Sequence, residues 1–181
     1  APPRFALVGL SLGGIVALEL WRRAPERISH LALIGTTPYG EQPQRRSLRL
    51  EQIAKVERGA LREVLMESMK PLYLAMKNRT DTRLLRRILR MGLALGPEVF
   101  RRQSLALRDR PDSVATLATI DCPSLVLCGR EDELCPMGVH QMMANAIPRA
   151  DFLALAECGH LSPMEEPAAV GAALRRLLRR T

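Results

Sequence analysis

The sequence predicts an α/β fold, a mostly parallel sheet with flanking helices, interrupted by a helical insertion. Three observations carry this reading. Short strand-like runs alternate with helical patterns, and the first three runs lack the polar alternation of a strand wet on one face, as strands of a parallel sheet do. Polar residues follow the carboxyl ends of the runs, where ligands sit in such sheets. Between Glu41 and about Arg110 the pattern is helical throughout, with no strand candidate. At 181 residues the chain suits one domain, read as a core of residues 1–40 and 111–181 with an insertion at 41–110.

The first run, Phe5 to Val8, is continuous and apolar, and is expected to be buried on both faces. Gly9-Leu10-Ser11-Leu12-Gly13-Gly14 follows, and then Ile15 to Leu20 reads as a buried helix that stops before Pro25. Ser11 therefore sits on a sharp strand-to-helix turn. Glycines at 9 and 13 are expected to clear room where the chain folds back beside it, pushing the hydroxyl out as a nucleophile elbow. The helix that starts there points its free N–H groups at the same place, so the Leu12 N–H is a candidate donor to a developing oxyanion.

Ile28 to Ile34 is the second strand. His30 lies near its start, at the far end from Ser11, and reads as structural. In the insertion, Leu61, Val64, Leu65, Ser68 and Leu72 keep a helical period, as do Leu84, Ile88, Met91 and Leu95 with arginines on the other faces. Asp81 is placed to cap the second helix, and Gly96-Pro97 to end it. A helical insertion after a strand suits a cap over a site at the strand ends. Asp112-Ser113 opens a short helix through Ile120, and Cys122 to Gly129 holds the third strand. An acidic loop, Arg130-Glu131-Asp132-Glu133, precedes a helix from Pro136 to about Ile147. Asp151 to Leu155 is the fourth strand, with Gly159-His160 beyond its end. A last helix starts at Glu166-Pro167, and its Val170, Leu174, Leu177 and Leu178 are expected to face inward.

Three polar groups thus leave the carboxyl ends of successive strands: Ser11, the acidic loop centred on Asp132, and His160. A serine hydroxyl is a weak nucleophile until a base takes its proton, imidazole suits that task near neutral pH, and a carboxylate fixes the imidazole's tautomer. Glu131 and Glu133 are alternative acids. Cys158, two residues before His160, is a thinkable thiol with nothing around it that suggests activation.

The order Ser, Asp, His, with the second 121 positions after the first and the third 28 after the second, resembles the α/β-hydrolase family in its branch with a helical cap. The resemblance rests on Gly9 to Gly14, on Gly129-Arg130-Glu131-Asp132 through Pro136, and on Gly159-His160 with Glu166-Pro167. It implies Ser11 as nucleophile, His160 as general base and then acid, and Asp132 as the orienting carboxylate. It also implies that the strands here are the fifth to eighth of the family's sheet, the carboxyl-terminal half only. On that reading the second oxyanion donor, which the family takes from a loop after its third strand, is absent. The expected activity is hydrolysis of a carboxylic ester through an acyl-enzyme. Acyl transfer, carbon–carbon hydrolysis and perhydrolysis use the same triad, and an inactive fragment or pseudoenzyme acting by association is a further alternative.

Composition narrows the partners. The formal charge is +8, and the segment from Glu41 to Ala115 holds 17 Lys plus Arg against 9 Asp plus Glu, so the whole excess lies there. Such a basic cap, with Arg86, Arg87 and Arg90 as examples, suits an anionic ester substrate. Nucleic acid is not expected, because the segment has only Tyr73 and Phe100 as aromatics and matches no reader motif. The four cysteines show neither paired nor metal-ligand spacing, and there is no transmembrane stretch, so a reduced cytoplasmic protein without metal or cofactor is expected. A first strand at the sheet edge, over residues 5–9, is a possible route to a homo-oligomer.

Overall fold

The computed structural model describes residues 3–69 and 72–181, without the side chains of Ser68 and Met69. The opening Ala1-Pro2, and Lys70-Pro71 within the helical period expected from Leu61 to Leu72, lie outside the described residues. Four strands, β1 (Phe5–Leu10), β2 (Ile28–Ile34), β3 (Ser124–Gly129) and β4 (Ala150–Leu155), form one parallel sheet in the order β1-β2-β3-β4. Because strands that are consecutive in sequence are neighbours in space, each crossover must pass over a face, and helices cover both.

Alternation along β2 and β3 assigns the faces. Leu31, Leu33 and Val126 pack with Ala17, Leu18 and Trp21 of α1 (Leu12–Arg23), and with Met143 and Ala144 of α6 (Met137–Ala146). Ala32, Ile34, Leu125 and Leu127 pack on the other face against Val170, Ala173 and Leu177 of α8 (Pro167–Leu177). The expected inward positions of this helix are corrected at one end: Leu178 is 54% exposed and Ala173 takes the buried place.

The first strand lies at one edge of the sheet, as β4 lies at the other, and its expected burial on both faces is corrected: β3 is buried along its whole length, but in β1 only Gly9 is buried and Val8 is 49% exposed. In α1, likewise, one face is covered and Val16 is 57% exposed. An apolar run reports low polarity, and a strand with a single neighbour buries less of it.

Between β2 and β3 the described residues are helical and turn structure. α2 (Pro43–Glu57), α3 (Leu61–Glu63) running into a π-helical turn at Val64–Met69, and α4 (Thr82–Asp109) share a small core of Val56, Leu61 and Val64 with Leu65 and Phe100. Asp81 caps α4 by accepting the N–H groups of Arg83 (2.8 Å) and Leu84 (3.1 Å). Gly96-Pro97 ends the first stretch of α4 as expected: Gly96 (φ 77°, ψ 174°) is non-helical, and Pro97, tolerated in a first turn, opens a second stretch that runs on to Asp109. Two short helices, α5 (Val114–Leu117) and α7 (Ser162–Glu165), complete the chain.

Candidate active site

β1 delivers Ser11 to the carboxyl edge of the sheet, and the chain turns there into α1. Ser11 has φ 54° and ψ −117°, a conformation that L side chains rarely adopt and that costs about 1–3 kcal/mol. Its surroundings hold it in place. The Ser11 N–H donates to Ile34 O (2.9 Å), and its carbonyl accepts from Gly14 N–H (2.9 Å) and from Thr36 Oγ1 (2.8 Å). A Cβ on Gly9 would lie 2.3 Å from the Gly13 carbonyl oxygen, so glycine is required there. The expectation for Gly13 is corrected: a Cβ would meet nothing within 4 Å, whereas one on Gly14 would sit 2.6 Å from the Thr36 side chain. The two constrained glycines are therefore 9 and 14. The Leu12 N–H, first of α1, has no hydrogen-bond partner among the described residues.

The structure brings the predicted acid and base together. His160 Nδ1 lies 2.9 Å from Asp132 Oδ2, both side chains being buried. Asp132 Oδ1 accepts the N–H groups of Leu134 and Cys135, each at 2.9 Å. A carboxylate only accepts, so Nδ1 carries the proton and Nε2 is left with its lone pair. Neither Nε2 nor Ser11 Oγ makes a hydrogen bond among the described residues, and both residues line one cavity. Tyr73 stacks on the His160 ring (centroids 6.0 Å apart, 19° between planes), and its carbonyl accepts the N–H groups of His160 (3.0 Å) and Leu161 (3.1 Å).

The alternative acids are engaged elsewhere. Glu131 accepts Met76 N–H (2.8 Å) and Glu133 pairs with Arg79. Glu165 accepts Gly159 N–H (2.9 Å), Ala75 N–H (2.8 Å) and Asn78 Nδ2 (2.9 Å), tying the histidine loop to residues 75–78. The Cys158 thiol is buried, and burial with Glu165 and Glu166 nearby pushes it up to about 12, so it stays protonated. His30 bonds to the Arg180 carbonyl (2.9 Å). Asp132, Cys135 and His160 present ligand atoms within 4.8 Å of one another. A metal there would have to replace the Asp132–His160 hydrogen bond and ionise a thiol that burial pushes up to about 12.

The supporting roles of three residues, His140, Tyr73 and Thr36, escaped the sequence reading, which placed Thr36 only among the residues leaving the carboxyl end of the second strand. His140 is fully buried; its Nδ1–H donates to Pro136 O (3.2 Å) and its Nε2 accepts Thr36 N–H (3.0 Å). Burial holds its pKa below the usual histidine value, so the ring stays neutral and able to accept. Thr36 relays this to the Ser11 carbonyl, and Tyr73 supports His160. A period marks His140 as one helix residue among others, and nothing local marks the other two.

The cavity of about 250 Å³ is lined by Ser11, Thr36, Tyr73, Leu134 and His160 on one side and by α2 on the other. The arginines on its wall are Arg45, Arg49 and Arg110. Arg86, Arg87 and Arg90, the examples expected from the sequence, instead line a separate surface groove with Arg62 and Arg83. Charge along a helix does not reveal which turn faces the site.

Comparison with known proteins places this architecture. The chain is 29% identical over 171 residues to a pimeloyl-[acyl-carrier protein] methyl ester esterase of Nitrosomonas europaea, covering 88% of this chain and 65% of that protein. It is 30% identical over 178 residues to a 2-hydroxy-6-oxononadienedioate/2-hydroxy-6-oxononatrienedioate hydrolase of Paraburkholderia phymatum, covering 90% and 58%. Among solved structures, a malate-bound thermophilic esterase from Thermogutta terrifontis superposes with a TM-score of 0.92 at 32% identity, covering 98% of this chain and 65% of that one. The chain thus spans 58–65% of the length of these relatives. No helix among the described residues is long and apolar enough to cross a membrane. A family profile described as the alpha/beta hydrolase family matches residues 1–173, and the chain belongs to that family.

Proposed function

We propose that the protein is a serine hydrolase that cleaves a carboxylic ester through an acyl-enzyme. The observation that carries this reading is a strained, exposed-edge serine sharing one cavity with the free Nε2 of a histidine whose Nδ1 is bonded to a buried carboxylate. Ser11 Oγ attacks the ester carbonyl while His160 Nε2 takes its proton. Asp132 stabilises the imidazolium, and the Leu12 N–H donates to the oxyanion. Collapse expels the alcohol, which leaves with the proton from His160. Water, deprotonated by the same nitrogen, then releases the acid. The relatives' names, two esterases and a hydrolase, support an ester or related acyl substrate.

Residues 41–110 act as the cap, since α2 and Leu107 form the cavity wall facing the sheet. The four strands are read as the last four of the family's sheet, which the spatial order and the exposed edge of β1 favour. Four buried, free thiols suit a reducing compartment such as the cytoplasm. The open β1 edge also favours a second reading, in which the chain acts by association instead of turnover.

The test is labelling with a fluorophosphonate probe followed by intact mass. One adduct, lost in Ser11→Ala, is expected. Folded protein that takes no adduct at Ser11 overturns the hydrolase reading and leaves association.

A further inference from the structure

We propose that α2 builds a carboxylate-binding subsite in the Ser11 cavity, so that the ester taken carries an ionised carboxylate besides the scissile bond. This rests on the hydrolase reading above and names its substrate class. Arg45, Leu48, Arg49 and Gln52 fall at i, i+3, i+4 and i+7 of α2, a single helix face, and all four line the cavity. The charge on that wall is unbalanced. Glu41, whose side chain is 1% exposed, is the carboxylate paired with the wall arginines, and it accepts from both Arg49 and Arg110. Three guanidinium groups against one carboxylate leave a formal surplus of +2.

The three arginines differ in what they have left to give. Arg110 is spent: Nε donates to Tyr39 O (2.8 Å), Nη1 to Glu41 (3.0 Å) and Leu107 O (3.0 Å), and Nη2 to Glu41 (3.2 Å). Arg49 gives Nε to Glu41, and its two Nη nitrogens make no hydrogen bond among the described residues. The exposed side chain of Arg45 makes neither a hydrogen bond nor an ion pair among them. Glu41 thus acts as a bracket that Arg110 anchors and that orients Arg49, leaving the forked donors of Arg49 and Arg45, with Gln52 on the same helix face, in a cavity whose apolar lining is Ile15, Leu48, Leu72, Leu107 and Leu134. Cations beside apolar surface, with donors unspent, are matched by a ligand carboxylate, which accepts such forks bidentately. Arg83, Arg86, Arg87 and Arg90 of α4 have no such setting, since they line a separate groove that does not include Ser11.

The carboxylate belongs to either the acyl or the alcohol part of the ester, and the assay separates the two. Hydrolysis of the mono-para-nitrophenyl ester of glutarate is compared with para-nitrophenyl butyrate for the acyl side, and para-carboxyphenyl butyrate with phenyl butyrate for the alcohol side. In Arg45→Gln the preference in kcat/KM for the charged member of one pair is expected to fall about ten- to a hundredfold, while Arg86→Gln keeps the wild-type preference. In parallel, glutarate binding to Ser11→Ala is measured by calorimetry, with saturable binding expected and its loss on adding Arg45→Gln. Turnover of the neutral esters with preferences indifferent to Arg45 overturns the subsite and leaves the hydrolase standing. No turnover of any ester, with Arg45-dependent glutarate binding, overturns the hydrolase reading and leaves the subsite. Neither turnover nor binding overturns both.

Discussion

Gly9 and Gly13 bracket the strained serine, yet they answer to different constraints. A methyl group on Gly9 would be driven into the Gly13 carbonyl and the Gly14 nitrogen, 2.3–2.6 Å away, and backbone on both sides leaves nothing flexible to yield. Gly13 is helical with open space around its Cβ direction. Gly9→Ala is therefore expected to cost about 3 kcal/mol, whereas Gly13→Ala is expected to add up to about 1 kcal/mol by stiffening the first turn of α1. Urea unfolding midpoints check both, and equal losses at the two positions would show that the elbow tolerates no side chain anywhere. A third glycine, Gly35 (φ 49°), runs beneath the Asp132–His160 pair, where a Cβ would lie 3.1 Å from His160 O and 3.4 Å from Asp132 Oδ2. Small residues thus let β1 and β2 approach Ser11, Asp132 and His160.

At the scale of elements, Glu41 fastens α2 to the end of α4 through Arg49 and Arg110. Burial raises its carboxyl pKa, but the Arg49 hydrogen bond and charge, with Arg110, outweigh this and hold it below the ordinary value of 4.5. A carboxyl lowered in the folded state contributes stability that is present above the unfolded value and lost as pH falls through the folded one. Glu41→Gln is expected to cost about 3 kcal/mol at neutral pH, because two guanidinium groups lose their counter-ion. The gap from wild type then closes as pH drops below about 4.5. Thermal unfolding of both proteins from pH 7 to pH 3 measures it, and a gap independent of pH would mean that shape, not charge, joins the helices. The opposite rim is closed by Glu165 and Glu131, which hold residues 75–78 against the loops that carry His160 and Asp132. The insertion is pinned at both ends of the cavity.

Across the whole molecule the sheet has two edges. β2 and β3 are paired on both sides, while β1 pairs with β2 alone and β4 with β3 alone, and of the two edge strands it is β1 that shows residues, Ala6 and Val8, to solvent. A parallel strand with an open row of N–H and C=O groups and an apolar outer face is a template for another chain. Self-association through β1 is expected, and Val8→Lys, which puts a charge on that face, is expected to shift the protein towards monomer. Light scattering during size exclusion reads the outcome, and a wild-type monomer at high concentration would remove the edge from consideration. The net charge of +8 opposes association in general, so a dimer that persists at low salt would have to come from specific pairing.

The α/β class, the four strands in order and the three residues Ser11, Asp132 and His160 were legible along the chain, because each rests on a local signal: an apolar run, a glycine-flanked turn, or a polar group just past a strand. Those signals need only neighbouring residues. That residues 5–9 lie at a sheet edge followed from the resemblance to the last strands of a larger sheet, whereas the apolar composition of Phe5 to Val8 alone suggested burial on both faces, because it carries no record of how many neighbours a strand finds. The supporting cast was hidden for a related reason. Thr36 reaches Ser11 across 25 positions and His140 reaches Thr36 across 104, so no pattern of short range contains them. Charge was legible as a total and misplaced in detail, since all faces of an arginine-rich helix look alike until packing turns one of them, on α2, towards the cavity. Residue chemistry and short-range geometry were written in the sequence; proximity was decided by the fold, because hydrogen bonds and ion pairs depend on distances of a few ångströms that chain separation does not encode.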